Sequence, residues 1–175
     1  PEEPFTWASG IKSPVYCDNR LTLSAPEVRQ KIEVGLATLV MKHYPECQML
    51  MGTSTAGIAH AAITASILGL PMGYVRGEAK DHGRGNRIEG KMDKGTKVVV
   101  IEDLISTGGS CIDVVEALRE EGAEVLGIAS IFTYGIKRTV NYSLSNLDTL
   151  VEVAAEEGYI APEWKNKIIE FRDSL

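Results

Sequence analysis

The chain has 175 residues, 44% hydrophobic and 24% charged, and its 18 Lys and Arg against 24 Asp and Glu leave a net charge of −6. That length suits one domain with a proper core, and the acidic balance argues against a general nucleic-acid binder, which needs a basic face. Cys17, Cys47 and Cys111 have no paired spacing, which points to a reducing compartment rather than a disulfide framework; no run approaches the roughly 20 apolar residues of a membrane span, and the expected location is cytoplasmic.

In chain order, residues 26–44 place Val28, Ile32, Leu36, Leu39 and Val40 at helical spacing, with Ser24 or Ala25 near the cap and Pro26 in the first turn. Residues 47–52 read as a short buried strand, 52–57 as a small-residue loop, 58–68 as a helix stopped by Gly69, and 71–76 as another strand. Residues 77–95 are Gly-rich, charged and almost free of aliphatics, the composition of a mobile surface loop. Residues 97–103, KVVVIED, form the strongest strand, a β-branched run of the parallel-sheet kind. Residues 110–122 follow as an amphipathic helix with Ile112, Val115 and Leu118 on one stripe and Gly122 behind it, and 124–134 as a strand. A crossover helix is expected next, because parallel strands need about a dozen residues to return, yet few positions separate 134 from NYSLSN. The chain closes on a helix at 145–158 capped by Ser145 and another at 162–174 with Pro162 at its first position. Alternating strands and helices predict an α/β fold with a mostly parallel central sheet flanked by helices.

The stretch IEDLISTGGS, residues 101–110, carries the most chemistry. Open α/β sheets bind ligands at the carboxyl ends of their strands, and this strand delivers Glu102 and Asp103 there. Leu104, Ile105 and Ser106 then lead into Thr107, Gly108, Gly109 and Ser110, whose amides and hydroxyls converge at a helix N-terminus, a site that favours an anion. The lysine of a Walker A loop is missing. An acid cannot hold phosphate, but Asp103 can accept hydrogen bonds from ribose hydroxyls, so the acids, Glu102 and Asp103, read the sugar while the loop holds its 5-phosphate.

Four hydrophobic residues, two acids and a Thr-Gly turn resemble the phosphoribosyl pyrophosphate (PRPP) motif of the type I phosphoribosyltransferases. Two further stretches narrow the resemblance to the orotate phosphoribosyltransferases. YVRGEAKDHGRGNRIEG, residues 74–90, is similar to that family's catalytic loop, with R-x-x-x-K-D-H-G matched by Arg76, Lys80, Asp81, His82 and Gly83. FTWASGIKSPVYCDNR, residues 5–20, resembles its base-binding segment, S-G-x-x-S-P-x-Y-x-D-x-R. Residues 52–61 match the pyrophosphate loop. Ala8 stands where many members carry Lys, and Tyr134-Gly135 where some place a base-contacting Arg. A sister enzyme for adenine or xanthine would share IEDLISTGGS but lack KDHG, and a PRPP-sensing regulator would need a basic domain for which an acidic chain of this length has no room.

The resemblance implies one phosphoribosyltransferase domain over 1–175, with a small N- and C-terminal hood, whose N-terminal segment is 1–25, and a catalytic loop at about 77–95. The implied reaction is orotate plus PRPP giving orotidine 5'-monophosphate and pyrophosphate, with Mg²⁺ held mainly by PRPP rather than by a protein cluster. Implied catalytic residues are Arg76, Lys80, His82 and Asp103. PRPP falls to Arg76, Lys80, His82, Glu102, Asp103, Leu104, Ile105, Ser106, Thr107, Gly108, Gly109 and Ser110, its pyrophosphate to Thr53, Ser54, Thr55, Ala56 and Gly57, and orotate to Tyr16, Arg20 and Ser106. The implied working unit is a homodimer whose catalytic loop reaches the neighbouring site. His60 reads as structural, and His43 as a helix-ending charge that suits the dipole.

Overall fold

The computed structural model describes residues 4–7, 10–77, 87–136 and 141–175. Two short strands, β1 (Phe5–Thr6) and β2 (Lys12–Ser13), pair antiparallel and lead through a 3-10 turn at Asn19–Ser24 into α1 (Pro26–His43). Then follow β3 (Met49–Thr53), α2 (Ala56–Leu68), β4 (Met72–Val75), β5 (Ile88–Glu89), β6 (Lys97–Ile105), α3 (Gly109–Glu120), β7 (Glu124–Thr133), β8 (Asn141–Asn146), α4 (Leu147–Glu156) and α5 (Glu163–Asp173). The main sheet has the order β5-β4-β3-β6-β7-β8 and is parallel except at β5. β6 is central, and Val98–Ile101 are fully buried in it. Hence the β-branched run: both faces of this strand are covered by helices, so each side chain of Val98–Ile101 is a core side chain.

One core cluster lies under α3, with Met51, Val100, Ile105, Cys111 and Leu118. Another lies under α1 and α2, with Leu36, Val40, Leu50, Ala61 and Ile101. A third joins the N-terminal segment to the last two helices through Trp7, Phe132, Tyr134, Leu147 and Ile168. The helix signals act as expected: Pro26 opens α1 behind an extended Ala25, and Gly69, at φ +66°, closes α2.

Several expectations shift. Ile88 and Met92, the aliphatic exceptions in 77–95, pack against the core, and Ile88–Glu89 pair with Tyr74–Val75 as β5 instead of lying in a structureless loop. β6 runs two residues past Asp103. On α3 the buried stripe is Cys111, Val114, Ala117 and Leu118, and Ile112 is exposed. On α1, Val28 is exposed. Asn146 caps α4 in place of Ser145, which is still in the ladder opposite Phe132; Asn146 accepts from the Thr149 amide at 2.9 Å. Pro162 is the capping residue of α5, so the helix itself begins one position later than expected. β7 and β8 are parallel although only seven positions, 134–140, connect them, fewer than a helical crossover takes.

α2 starts very close to the sheet. A Cβ on Gly57 would stand 2.5 Å from the Ile101 carbonyl and from Thr53 Oγ1, and one on Gly52 would stand 2.9 Å from the Gly57 carbonyl. Only glycine admits that crossing. It fixes the β3–α2 loop against the end of β6. A buried polar clamp holds α2 from its other side: Glu33 of α1 takes His60 Nδ1 at 2.6 Å and the Thr64 hydroxyl at 2.8 Å, all three residues being fully buried.

Candidate active site

The carboxyl ends of β3 and β6 and the N-terminal segment enclose a cleft of about 480 Å³. From β6 and its loop it takes Glu102, Asp103, Leu104, Ser106 and Ser110; from the β3–α2 loop, Ser54, Thr55 and Ala56; from the N-terminal segment, Trp7, Tyr16, Cys17, Asp18 and Arg20. Three stretches separated along the chain thus share one concavity.

The β3–β6 ladder ends at the pair Gly52–Ile101, so the next residues along, Thr53 and Glu102, meet through their side chains. Thr53 Oγ1 donates to Glu102 Oε1 at 2.8 Å, the Asp103 amide donates to the same oxygen at 3.0 Å, and Cys111 Sγ donates to Oε2 at 3.3 Å. Burial, with the Asp103 carboxyl beside it, pushes Glu102 up to about 8; Thr53 and the Asp103 amide pull the other way without offsetting burial. Asp103, next on the strand, is half-buried, and its field, after burial, helps push the Cys17 thiol up to about 11. The Asp103 carboxyl thus stands between Glu102 and the N-terminal segment. The Asp103 carbonyl accepts from Asn19 Nδ2 at 2.8 Å, which ties that segment to the sheet.

At the pyrophosphate-type loop, the Ser54 hydroxyl and amide both donate to the Val75 carbonyl, at 2.5 and 3.2 Å, joining the loop to β4. The Ser54–Thr55 peptide is cis. At the phosphate-type loop, Gly108 takes φ +81° as the residue before α3, and its carbonyl accepts from the Ile112 amide at 3.0 Å. Thr107, Gly108 and Gly109 stand beside the cleft, between its lining residues Ser106 and Ser110. Ile105 is buried in the core and presents only backbone.

Arg20 forks onto Asp18, with bonds of 2.6 and 2.8 Å, and is 60% exposed in its side chain, so the cation is held ready at the cleft mouth. This pair keeps Asp18 below the usual carboxylate range. Arg20 also reaches the Tyr16 hydroxyl at 3.5 Å. Trp7 is 7% exposed, lies 4.3 Å from the Tyr134 ring and donates its indole N–H to the Val15 carbonyl at 3.2 Å. The Tyr134 hydroxyl accepts from the Cys17 amide at 3.2 Å.

Arg76 follows β4 and is tied across to Arg87 by bonds of 2.8 and 3.1 Å; its guanidinium stands 3.8 Å from Glu89 and does not line the cleft. Arg87 pairs with Asp113 of α3. Lys80 and His82, expected to be catalytic, lie outside the described residues. The sequence motifs pass over Asn19, Cys17 and Cys111. The first two fall at unspecified positions of the N-terminal pattern, and Cys111 stands just past IEDLISTGGS. A larger cleft of about 600 Å³, bordered by Tyr44, Ile112, Arg119 and Tyr142, contains none of the residues that the three motifs single out. His43 stacks on Tyr142 there, at 3.7 Å between rings.

A family model for the phosphoribosyl transferase domain matches residues 26–158. The orotate phosphoribosyltransferase of Bacillus cereus (strain B4264) is 58% identical over 181 aligned positions, covering 98% of this chain and 86% of the relative. Among solved structures, orotate phosphoribosyltransferase from Aeropyrum pernix superposes with a TM-score of 0.77 at 29% identity, over 90% of this chain and 92% of that one. Leishmania donovani UMP synthase superposes at 0.84 with 26% identity; this chain is 98% covered and spans 39% of that longer protein.

Proposed function

The chain belongs to the phosphoribosyl transferase family, in its orotate phosphoribosyltransferase branch, and from that premise we propose how its cleft divides the work. The reaction moves the 5-phosphoribosyl group from PRPP to orotate, leaving orotidine 5'-monophosphate and pyrophosphate, a step of pyrimidine nucleotide synthesis. The observation that carries the assignment of roles is the convergence of three separate stretches on one cleft.

The sugar carbon that changes partners becomes oxocarbenium-like, and the leaving group departs with negative charge. Fixed donors and carboxylates aimed at those charges lower the barrier most when water is kept out. Thr107 to Ser110 hold the 5-phosphate with amides and hydroxyls at the start of α3. Asp103 accepts from the ribose hydroxyls, and its negative charge stands near the developing cation. Thr53 to Gly57 cradle pyrophosphate, and the close seat of α2 on β3 and β6 keeps that cradle rigid. Tyr16 and Arg20, with Ser106, take orotate, whose carboxylate competes with Asp18 for the Arg20 fork. Lys80, His82 and Arg76 meet the leaving group, delivered from the second subunit of a homodimer.

Mg²⁺ fits this donor set as a cation that arrives on its substrate. Among the described acids lining the cleft, Asp18 is engaged by Arg20 and both oxygens of Glu102 accept bonds within the protein, so Asp103 is the described carboxylate that would best serve it, alongside the oxygens of PRPP itself. When bound, Mg²⁺ supplies charge neutralisation to the departing pyrophosphate.

The test is the fall of orotate absorbance on adding PRPP and Mg²⁺, with a chelator as control. Turnover with orotate, abolished by the chelator and not reproduced with adenine, is the expected result. A protein that consumes adenine and leaves orotate untouched would defeat the assignment.

A further inference from the structure

Glu102 bonds to β3, β6 and α3 at once. Its Oε1 accepts from Thr53, at the end of β3, and from the amide of Asp103; its Oε2 accepts from Cys111, in the first turn of α3. Glu102 turns into this knot, and the Asp103 carboxyl stands beside it on the cleft wall. The pyrophosphate loop, the acid pair and the phosphate-holding turn are thus bonded to one carboxyl that is 6% exposed.

We propose that Cys111 is a positioning residue of the reaction: by holding Glu102 Oε2 it fixes the first turn of α3 relative to the acids of β6, and so the spacing between phosphate and ribose contacts. This rests on the PRPP reading given above. The residue type suits the task. Cys111 is fully buried and packs with Val114 and Leu118 as a small apolar group, yet it still offers one weak donor. A serine would donate from a shorter arm, and an alanine or valine would pack without donating. The thiol takes no nucleophilic role, since burial and the Glu102 carboxyl keep it well above the ordinary thiol range.

The experiment compares Cys111→Ala, Cys111→Val and Cys111→Ser with the unmodified protein, reading KM for PRPP at saturating orotate, KM for orotate at saturating PRPP, and thermal unfolding. Loss of the donor should raise KM for PRPP about three- to tenfold, the size of one weak hydrogen bond to a carboxyl, with KM for orotate within about twofold. Cys111→Ser should restore most of the PRPP loss. Cys111→Val fills the space that Cys111→Ala empties, so a shared PRPP defect belongs to the lost donor and not to a cavity. Lowered unfolding temperature with an unmoved KM for PRPP would overturn the proposal, as would a Ser variant no better than Ala and Val. If the unmodified protein fails to turn over orotate, the functional reading falls and takes this proposal with it; turnover by the unmodified protein with unaltered Cys111 variants overturns this proposal alone.

Discussion

At the scale of single residues, the acid pair at the end of β6 separates into unlike members. Glu102 is folded into the protein and Asp103 is presented to the cleft. In the folded chain burial, with Asp103 beside it, pushes Glu102 up to about 8, against the ordinary value of about 4.3 when unfolded. The folded state therefore binds that proton more tightly. The resulting stabilisation is complete below the unfolded value and is lost as pH rises through about 8. Glu102→Gln removes the titration, so its unfolding temperature should fall less than that of the unmodified protein between about pH 5 and 8. Parallel curves for the two proteins would contradict the buried, protonated carboxyl.

At the scale of elements, the unit that matters is α2 with the loop before it. The loop is pressed onto the sheet by Gly52 and Gly57 and retained by the Glu33–His60–Thr64 clamp. Removing Glu33 would strand two buried polar groups at once. Glu33→Ala should cost about 3 kcal/mol or more and lower the melting temperature by on the order of 10 °C. A calorimetric shift within about 1 kcal/mol would show that the clamp contributes little. The sequence assigns His60 a structural place inside its helix but conceals its partner, because Glu33 lies 27 positions away on another helix. The helix itself is readily found, since Gly69 stops it and small residues start it. The buried stripe of α3 is harder: Ile112 and Cys111 are neighbours, and a one-residue change of phase exchanges which of them faces the core.

At the scale of the molecule, the parallel sheet was legible because burial on both faces forces continuous β-branched runs. β5 was not, since two residues in a charged stretch carry almost no periodicity, and only their pairing with β4 reveals them. Charge made Glu102, Asp103 and Arg20 legible as residues of the cleft, but not that Glu102, expected on the ribose hydroxyls, has both oxygens bonded within the protein. The chemistry was illegible where a backbone atom is the target, as with Asn19 reaching the Asp103 carbonyl. The proposed sharing of the catalytic loop between subunits has a direct test. Lys80→Ala alone should lower turnover by about 10²–10³ through loss of a charge-stabilising donor, and Asp103→Asn should weaken PRPP use in its own cleft. Mixed and allowed to exchange, the two should regain about a quarter of full activity, because half the dimers would then hold one intact site. Activity equal to the sum of the two variants would mean that each cleft uses its own loop.

The N-terminal segment has one more consequence, which concerns light. Trp7 lies in the cleft wall against Tyr134, whereas the other tryptophan, Trp164, sits in α5 with the Lys167 ammonium 4.4 Å from its ring. With orotate placed as proposed, against Tyr16 and Arg20, its ring would lie nearer the first indole, which lines the cleft, than the second, which does not. Intrinsic fluorescence should therefore be quenched as orotate or its nucleotide binds, Trp7→Phe should abolish the change, and Trp164→Phe should preserve it. The wall that shapes the cleft would then also signal, without any label, when the cleft is full.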